Sequence, residues 1–431
     1  MRNPFARRTS WNLATNRYTE ALGAHRRAGK EVLDLTASNP TTVGLHYGED
    51  DLLAALAHRE SLVYDPQPKG LLSAREAVAA YYAEQGSEVS PDDLILTTST
   101  SEAYAFVFRL LCDPGDAVLV PSPSYPLFDF LADLQDVKLA RYELVYDHGW
   151  QIDFHSLQTA VQKLSAANGP CRAVMAVHPN NPTGSYVKPH ELQELNRICA
   201  ANQMALIADE VFLDYALTDA KPLTFSSNRE ALTFTLSGLS KISALPQMKV
   251  AWLAVSGPDA LKADALRRLE VIADTFLSMN APVQLAVPAM LQQRHDIQRQ
   301  LMERVRANLA ALDSQLAAQK VCQRLAVEGG WYAVLRVPAP DDARGNLHVG
   351  AKPMATKLDD RDEAIVAALG PWLRERGHFF VGLDVIGGWL TEVNVTSPTG
   401  ILEANVLYDD AYEVKVLELL EQKIAQKIAA G

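Results

Sequence analysis

Residues 237–252 read Ser-Gly-Leu-Ser-Lys-Ile-Ser-Ala-Leu-Pro-Gln-Met-Lys-Val-Ala-Trp, and the rest of the chain is organised around them. One lysine, Lys241, stands among small and apolar residues, and a second cation, Lys249, is expected two helical turns further on, on a turn after Pro246. An amine attacks an aldehyde only when neutral, and apolar surroundings lower a lysine's pKa toward that state. The second cation is then placed to hold a phosphate. Taken alone, the stretch is explained as well by a surface lysine whose stem lies along apolar neighbours. Three other stretches shift the balance.

The first is Leu94-Ile95-Leu96-Thr97, a buried strand, followed by Thr98-Ser99-Thr100-Ser101-Glu102 and an apolar helix over about residues 103–112. Hydroxyl residues at a strand-to-helix turn suit an anion, because the first N–H groups of a helix have no internal partners. A plain helix cap is the competing explanation. The second is His178-Pro179-Asn180-Asn181-Pro182-Thr183-Gly184 after the strand 172–177, and the third is Asp209-Glu210-Val211-Phe212 after the strand 205–208. With 117–120, these strands alternate with helical sequence, which predicts an α/β fold with a mostly parallel sheet covered on both faces. In such a sheet ligands sit at the carboxyl ends of the strands, where these residues fall. Asp209 there is a costly buried carboxylate unless a positive group meets it. Read singly, it serves equally well as a helix cap.

Elsewhere the pattern predicts helices over 11–30, 52–58 and 73–85, the last with Ser73 and Glu76 as a capping box. A short strand is expected at 32–35, a long helical region over 259–318, and the start of a second sheet at Gly329-Gly330-Trp331-Tyr332. The 431 residues are long enough for two domains, and 48% hydrophobic with 21% charged residues is ordinary for a soluble globular protein. A net charge of -12 argues against nucleic-acid binding. The cysteines, Cys112, Cys171, Cys199 and Cys322, show neither disulfide nor zinc spacing. Neither a signal peptide nor a membrane span is expected, so the expected setting is cytoplasmic.

Together these stretches resemble the class I/II aminotransferases, the fold-type I pyridoxal-phosphate enzymes, over about residues 10–338. The resemblance implies a reaction moving an amino group between an amino acid and a 2-oxo acid, through an aldimine on Lys241. It implies that Asp209 pairs with the pyridinium nitrogen, that Asn181 bonds the ring O3′ and that Tyr125, in Pro-Ser-Tyr-Pro, stacks on the ring. Ser99, Thr100, Ser240 and Lys249 match the phosphate cradle. Tyr64 matches the tyrosine that reaches the neighbouring subunit's phosphate, which implies a homodimer. Two positions depart from the family. Phe212 stands where a tyrosine is common, and Lys249 stands where an arginine is usual, a point charge in place of a fork.

The end of the chain resembles something else. Arg-Gly-Asn-Leu-His-Val-Gly (344–350), Val-Gly-Leu-Asp-Val-Ile-Gly (381–387) and Leu-Thr-Glu-Val-Asn-Val-Thr-Ser-Pro-Thr (390–399) resemble the carboxyl end of bacterial glutathione synthetase, an ATP-grasp ligase. Asp384, Glu392 and Asn394 are oxygen ligands on two adjacent strands, and such ligands around a phosphate suit Mg²⁺. A solvated sheet face explains them equally well without the resemblance. Under this alternative Mg²⁺ and ATP would be the cofactors. The chain therefore reads as a chimera, active or not. Its expected parts are an amino-terminal arm and part of a small domain (1–45), a cofactor-binding large domain (46–260), linking helices and the start of the small domain (261–338), and a glutathione-synthetase-like segment (339–431).

Overall fold

The computed structural model describes residues 4–337 apart from 35, 37, 167–168, 220 and 320, and beyond these 358, 360–376, 381–386, 389–394, 404–405 and 408–430. The chain divides into two compact units, Met1–Ala318 with Arg324–Val334, and Gln319–Gln323 with Leu335–Gly431.

The first unit is built on an eight-stranded sheet. Its strands are β1 (Leu94–Thr97), β2 (Ala117–Ser122), β3 (Lys138–Tyr146), β4 (Trp150–Ile152), β5 (Cys171–Val177), β6 (Ala205–Asp209), β7 (Thr233–Gly238) and β8 (Ala251–Ser256). They lie in the order β1-β8-β7-β6-β5-β2-β3-β4. Only β8 and the edge strand β4 run against the rest. The four predicted buried strands are all present.

Around the sheet the helices are α1 (Arg17–Arg27), α2 (Glu49–Leu56), α3 (Leu72–Glu84), α4 (Thr100–Leu111), α5 (Phe128–Leu134), α6 (Phe154–Ala166) and α7 (Pro189–Asn202). There follow α8 (Leu239–Ile242), α9 (Asp259–Phe276), α10 (Ala281–Gln292) and α11 (Arg294–Ala317). Successive strand side chains go to opposite faces. Ile95, Met175, Ile207, Phe234 and Leu253 pack beneath α4, α5 and α9. Val174, Ala176, Leu206 and Ala208 face α6 and α7. Leu94, Leu96 and Trp252 meet α3 and α10. With both faces covered, the strands carry nearly unbroken apolar runs, the signature of a buried parallel sheet.

Several local expectations are corrected. Residues 32–34 form no strand; a short apolar run makes one only where a neighbouring strand supplies hydrogen bonds. Helix α1 begins at Arg17 because the Asn16 side-chain Oδ1 accepts the Thr19 N–H at 2.8 Å. Helix α3 begins at Leu72, so Ser73 lies inside it and caps nothing. The region 259–318 is three helices, interrupted at Leu277, which has φ of 42°, and restarted where Asn280 accepts the Val283 N–H at 3.0 Å. Lys249 shares no helix with Lys241: α8 ends at Ile242, and Lys249 sits on a separate turn with φ of 55°.

Two-residue strands β9 (Gln323–Arg324) and β10 (Leu335–Arg336) precede the second unit's helix α12 (Asp360–Glu375). An antiparallel pair follows, β11 (Gly382–Ile386) and β12 (Trp389–Asn394), then α13 (Tyr412–Ala430). In that pair Asp384 lies opposite Glu392 and Gly382 opposite Asn394. The side chains of Asp384, Glu392 and Asn394 lie outside the described residues, as do 344–350 and 395–399. Among the described residues there is no cluster of His, Cys, Asp and Glu able to hold a metal ion. None of their helices is long and apolar enough to cross a membrane.

Candidate active site

Strand register gathers the candidate residues at one edge of the sheet. Thr97 of β1, Ala251 of β8 and Gly238 of β7 lie in one row. Leu236, Asp209 and Val177 continue the alignment across β7, β6 and β5. Ser99 and Thr100 therefore leave β1, and Ser240 and Lys241 leave β7, at the same edge. Because β8 runs the other way, Lys249 reaches this edge just ahead of its first residue. Gly238 makes the approach possible: a Cβ there would lie 2.7 Å from the Val250 carbonyl oxygen and 2.9 Å from the Ala251 Cα.

Lys241 is half-buried on α8. Its Nζ lies 5.1 Å from the ring centroid of Trp331 and 5.3 Å from that of Phe212. Burial lowers its pKa, and the negative charge of Asp209 opposes part of that shift. The Lys241 carbonyl oxygen accepts the Tyr215 hydroxyl at 2.6 Å, which fixes the backbone beneath the amine. Phe212, Tyr215 and Trp331 pack edge to face at 5.0 to 6.4 Å between centroids. Bonds from Gly330 N–H to the Tyr215 carbonyl and a bridge between Ala216 and Gly329 tie Trp331 to the turn that carries Phe212.

Asp209 ends β6 and is buried. Burial raises its pKa, while a hydrogen bond from the Tyr104 hydroxyl at 2.8 Å, one from Val211 N–H at 3.1 Å and the charge of Lys241 act the other way. The turn-capping explanation thus holds for one carboxylate oxygen, and Tyr104 occupies the other. Among the described residues Asp209 has no ion-pair partner within salt-bridge distance.

The two asparagines of 178–184 divide their work. Asn180 donates to the Pro123 carbonyl at 3.0 Å and the Thr183 hydroxyl at 2.9 Å and accepts from Ser124 at 2.9 Å. It thereby ties this loop to the one carrying Tyr125. Asn181 is half-buried, and among the described residues its amide has no hydrogen-bond partner. Tyr125 is also half-buried, and the field of Asp209 adds to the burial that raises its pKa. His178 is a structural residue. Burial pushes its pKa down to about 4, its Nδ1 accepts the Val187 N–H at 2.9 Å, and its Nε2 faces the Leu223 carbonyl at 2.8 Å.

At the start of α4 the Ser99 hydroxyl accepts the Glu102 N–H at 3.1 Å, so Ser99 is a helix cap. The Glu102 carboxylate takes the Thr98 N–H at 2.7 Å, the Thr98 hydroxyl at 3.0 Å and the Ser278 hydroxyl at 2.8 Å. Lys249 is exposed, with no ion-pair partner among the described residues. Tyr64 stands elsewhere. It is 82% exposed and lines a cleft of about 400 Å³ with Leu96, Phe106 and Leu277, whose walls include none of Lys241, Asp209, Asn181, Tyr125, Ser99, Thr100, Ser240 and Lys249.

Sequence reading missed Tyr104 and the flanking role of Trp331. The signal for Tyr104 was its place on the buried face of α4; Trp331 lies about 90 residues beyond Lys241, and only the fold joins them.

The model of the family "Aminotransferase class I and II" matches residues 12–361. The chain belongs to this family. A second family model, "Prokaryotic glutathione synthetase, ATP-grasp domain", matches residues 316–409, so the two matches overlap over residues 316–361. The glutamate-pyruvate aminotransferase AlaA of Haemophilus influenzae is 29% identical over 266 residues, 61% of this chain and 64% of that protein. An alanine aminotransferase of Mycobacterium tuberculosis is 28% identical over 274 residues, 61% of each chain. The chain thus spans about three-fifths of the length of the curated relatives it matches. In fold it is similar to an alanine aminotransferase from Pyrococcus furiosus, with TM-score 0.66 and 22% identity over 74% of this chain and 81% of that one. It is also similar to a Thermus thermophilus aspartate aminotransferase double mutant, with TM-score 0.65 and 23% identity over 78% and 85%.

The family implies pyridoxal phosphate, and the residues at the sheet edge fit it. A buried carboxylate without a cation, an amine shifted toward neutrality, an unused amide on Asn181, an exposed lysine and the hydroxyls at the start of α4 are the groups that such a molecule requires.

Proposed function

We propose that this chain is a pyridoxal-phosphate-dependent aminotransferase that moves an amino group between an amino acid and a 2-oxo acid. The observation that carries the reading is the pair formed by Lys241 and Asp209. They share one edge of the sheet, sense each other's charge, and are both driven toward neutrality by burial. Pyridoxal phosphate, when bound, supplies an aldehyde for a neutral amine and a sink for the electron pair left when a substrate Cα loses its proton.

This chain's residues do the rest. Asp209, held by Tyr104, is the counter-charge for a protonated ring nitrogen, and in answering that charge it regains what burial costs it. Asn181 donates its amide to the ring hydroxyl, and Tyr125 covers the ring face. Ser99, Thr100, Ser240 and Lys249 hold the phosphate at the open end of α4. Phe212, with no hydroxyl, leaves Asn181 as the donor on that side. Lys241, its amine shifted toward neutrality by burial beside two aromatic rings, would take the proton from the substrate Cα and deliver it to the carbon on the far side of the amino nitrogen, so that the amino group changes owner. Alanine with 2-oxoglutarate is the first pair to assay, given the names of the relatives. Tyr64, with Leu62 and Val63 at 91% and 62% exposure, belongs to a face that a second copy covers, making a homodimer in which Tyr64 serves the partner's phosphate.

The test is a visible spectrum of the purified protein with pyridoxal phosphate, before and after borohydride. A band that reduction fixes onto the peptide containing Lys241, and that Lys241→Ala abolishes, supports the reading. Amino transfer retained by Lys241→Ala overturns it. The glutathione-synthetase-type alternative requires ATP hydrolysis dependent on γ-glutamylcysteine and glycine, lost in Asp384→Ala.

A further inference from the structure

The turn between β6 and residue 216 carries two of the side chains that handle Lys241. Phe212 places its ring 5.3 Å from Nζ, and Tyr215 donates its hydroxyl to the Lys241 carbonyl oxygen at 2.6 Å. Two reverse bonds shape the turn, Leu213 N–H to the Glu210 carbonyl and Tyr215 N–H to the Phe212 carbonyl, each at 3.0 Å. Between the two Lys241-handling residues stands Asp214, pointing the other way, into the protein. Its Oδ2 accepts the Tyr81 hydroxyl of α3 at 3.0 Å and its Oδ1 accepts the amide of Gln85, the residue that caps the end of α3, at 2.7 Å. Further anchors are the Tyr186 hydroxyl on the Leu213 carbonyl at 3.0 Å and, at the start of the turn, the Ser237 hydroxyl on the Glu210 carbonyl at 3.4 Å, with the Glu210 carboxylate held by the Thr224 hydroxyl and Phe225 N–H.

We propose that Asp214 is a positioning residue for Lys241, whose ionised carboxylate clamps the turn to α3 and whose protonation releases it. The inference rests on the assignment of Lys241 as the cofactor lysine. Both carboxylate oxygens receive donors, and an added proton sets a donor against one of them, so that a clamp bond is lost or reversed. The groups that face the carboxylate set the pH at which this happens. From α3 come Tyr81, Tyr82 and Glu84, from α11 Arg294, from the loop after β5 Tyr186, and from its own turn Glu210 and Tyr215. Arg294, buried, pairs with Glu84 and lies 5.4 Å over the Tyr81 ring, so its charge is shared before it reaches Asp214. Burial dominates and pushes the Asp214 pKa up to about 6, with Tyr81, Arg294 and Gln85 resisting. The clamp is therefore closed above that pH and opens below it.

The experiment measures pyridoxal phosphate affinity of the full chain from about pH 5 to about pH 8, where a buried carboxyl of this kind titrates. Competitive acetylation of the cofactor-free protein, read on the Lys241 peptide by mass spectrometry, follows the same range. Wild type is expected to lose affinity by roughly tenfold toward the acid end, one pKa unit of differential interaction. Asp214→Asn is expected to be weak throughout, to lack the inflection near pH 6 that the carboxyl sets, and to show altered Lys241 labelling. Tyr81→Phe removes one hydrogen bond to the anion and so raises the Asp214 pKa; it is expected to move the inflection to higher pH, which a merely structural role would not do. Identical inflections and identical Lys241 labelling in wild type and both variants overturn the proposal. Should Lys241→Ala bind pyridoxal phosphate as wild type does, the cofactor assignment fails instead, and the labelling still reports whether Asp214 governs Lys241.

Discussion

The eight-stranded sheet and the segment beyond residue 335 both carry large apolar side chains and bury them very differently. In the sheet, Leu94, Ile95, Val118, Phe234, Leu236 and Trp252 are all shut from solvent. In the second unit's described residues, only Leu373 is buried, while Val366, Trp372, Leu417, Leu419 and Ile424 are each 49% exposed or more. Both regions have helices with apolar faces. The difference is what stands opposite: α4 and α9 find alternate residues of a broad sheet, whereas α12 and α13 leave most of their apolar residues in solvent. An amphipathic helix fixes which face wants burial, and a core forms only when a complementary layer is present.

The sharpest way to break the contrast is to make one substitution in both regions. Leu236→Ala, in the middle of the sheet, is expected to cost about 2–5 kcal/mol, the usual toll of a cavity in a packed core. Leu417→Ala, at 59% exposure, is expected to change stability by less than about 0.5 kcal/mol. Urea unfolding of both variants checks this, and equal effects would mean that α13 is covered in solution.

A second prediction probes the polar part of the sheet edge. Tyr104→Phe leaves Asp209 without its 2.8 Å donor and is expected to cost about 1–3 kcal/mol, read as a lower thermal midpoint, with weaker pyridoxal phosphate binding.

The third concerns Glu210, which is buried, takes hydrogen bonds from Phe225 N–H and the Thr224 hydroxyl, and has its pKa pushed up to about 8 by burial. A folded-state pKa above the unfolded value gives stability that is complete below the unfolded pKa and is lost as pH rises through the folded one. Wild type should thus weaken on going from about pH 6 to about pH 9, by at most about 1.4 kcal/mol per pH unit for this single group. Glu210→Gln should flatten that slope. Denaturant melts at both ends of the range decide it. The smallest effect is kinetic: amides of α13 are expected to exchange hydrogen faster than those of β5 to β7.

Much of the fold was legible because its signals are local. Leu94–Thr97 and the apolar runs at 117, 172 and 205 announced buried strands, and the helices between them announced parallel pairing. The failures were local too, where two short-range signals competed. Ser73 looked like a cap, yet the helix starts one residue earlier, and the run at 32 had no neighbour with which to pair. At the site, the sequence marked Lys241, Asp209 and Asn181, the residues whose chemical type is unusual at a strand end. It did not mark Tyr104 or Trp331, or show that Asn180 is spent on structure while Asn181 is free, because tyrosine, tryptophan and asparagine are common in cores and loops alike.

The sequence by itself determined the alternating α/β pattern, the lysine and aspartate that ask for a charged partner, and the change of character near residue 338. Tertiary structure alone decided the strand order that aligns Thr97, Ala251 and Gly238, the reversed β8 that brings Lys249 to that edge, and the turn that joins Asp214 to Lys241. The reason is physical. Periodicity, caps and turn residues act over a few positions, whereas register and side-chain convergence depend on contacts between residues from about a dozen to more than a hundred apart, which form only when the whole sheet is packed.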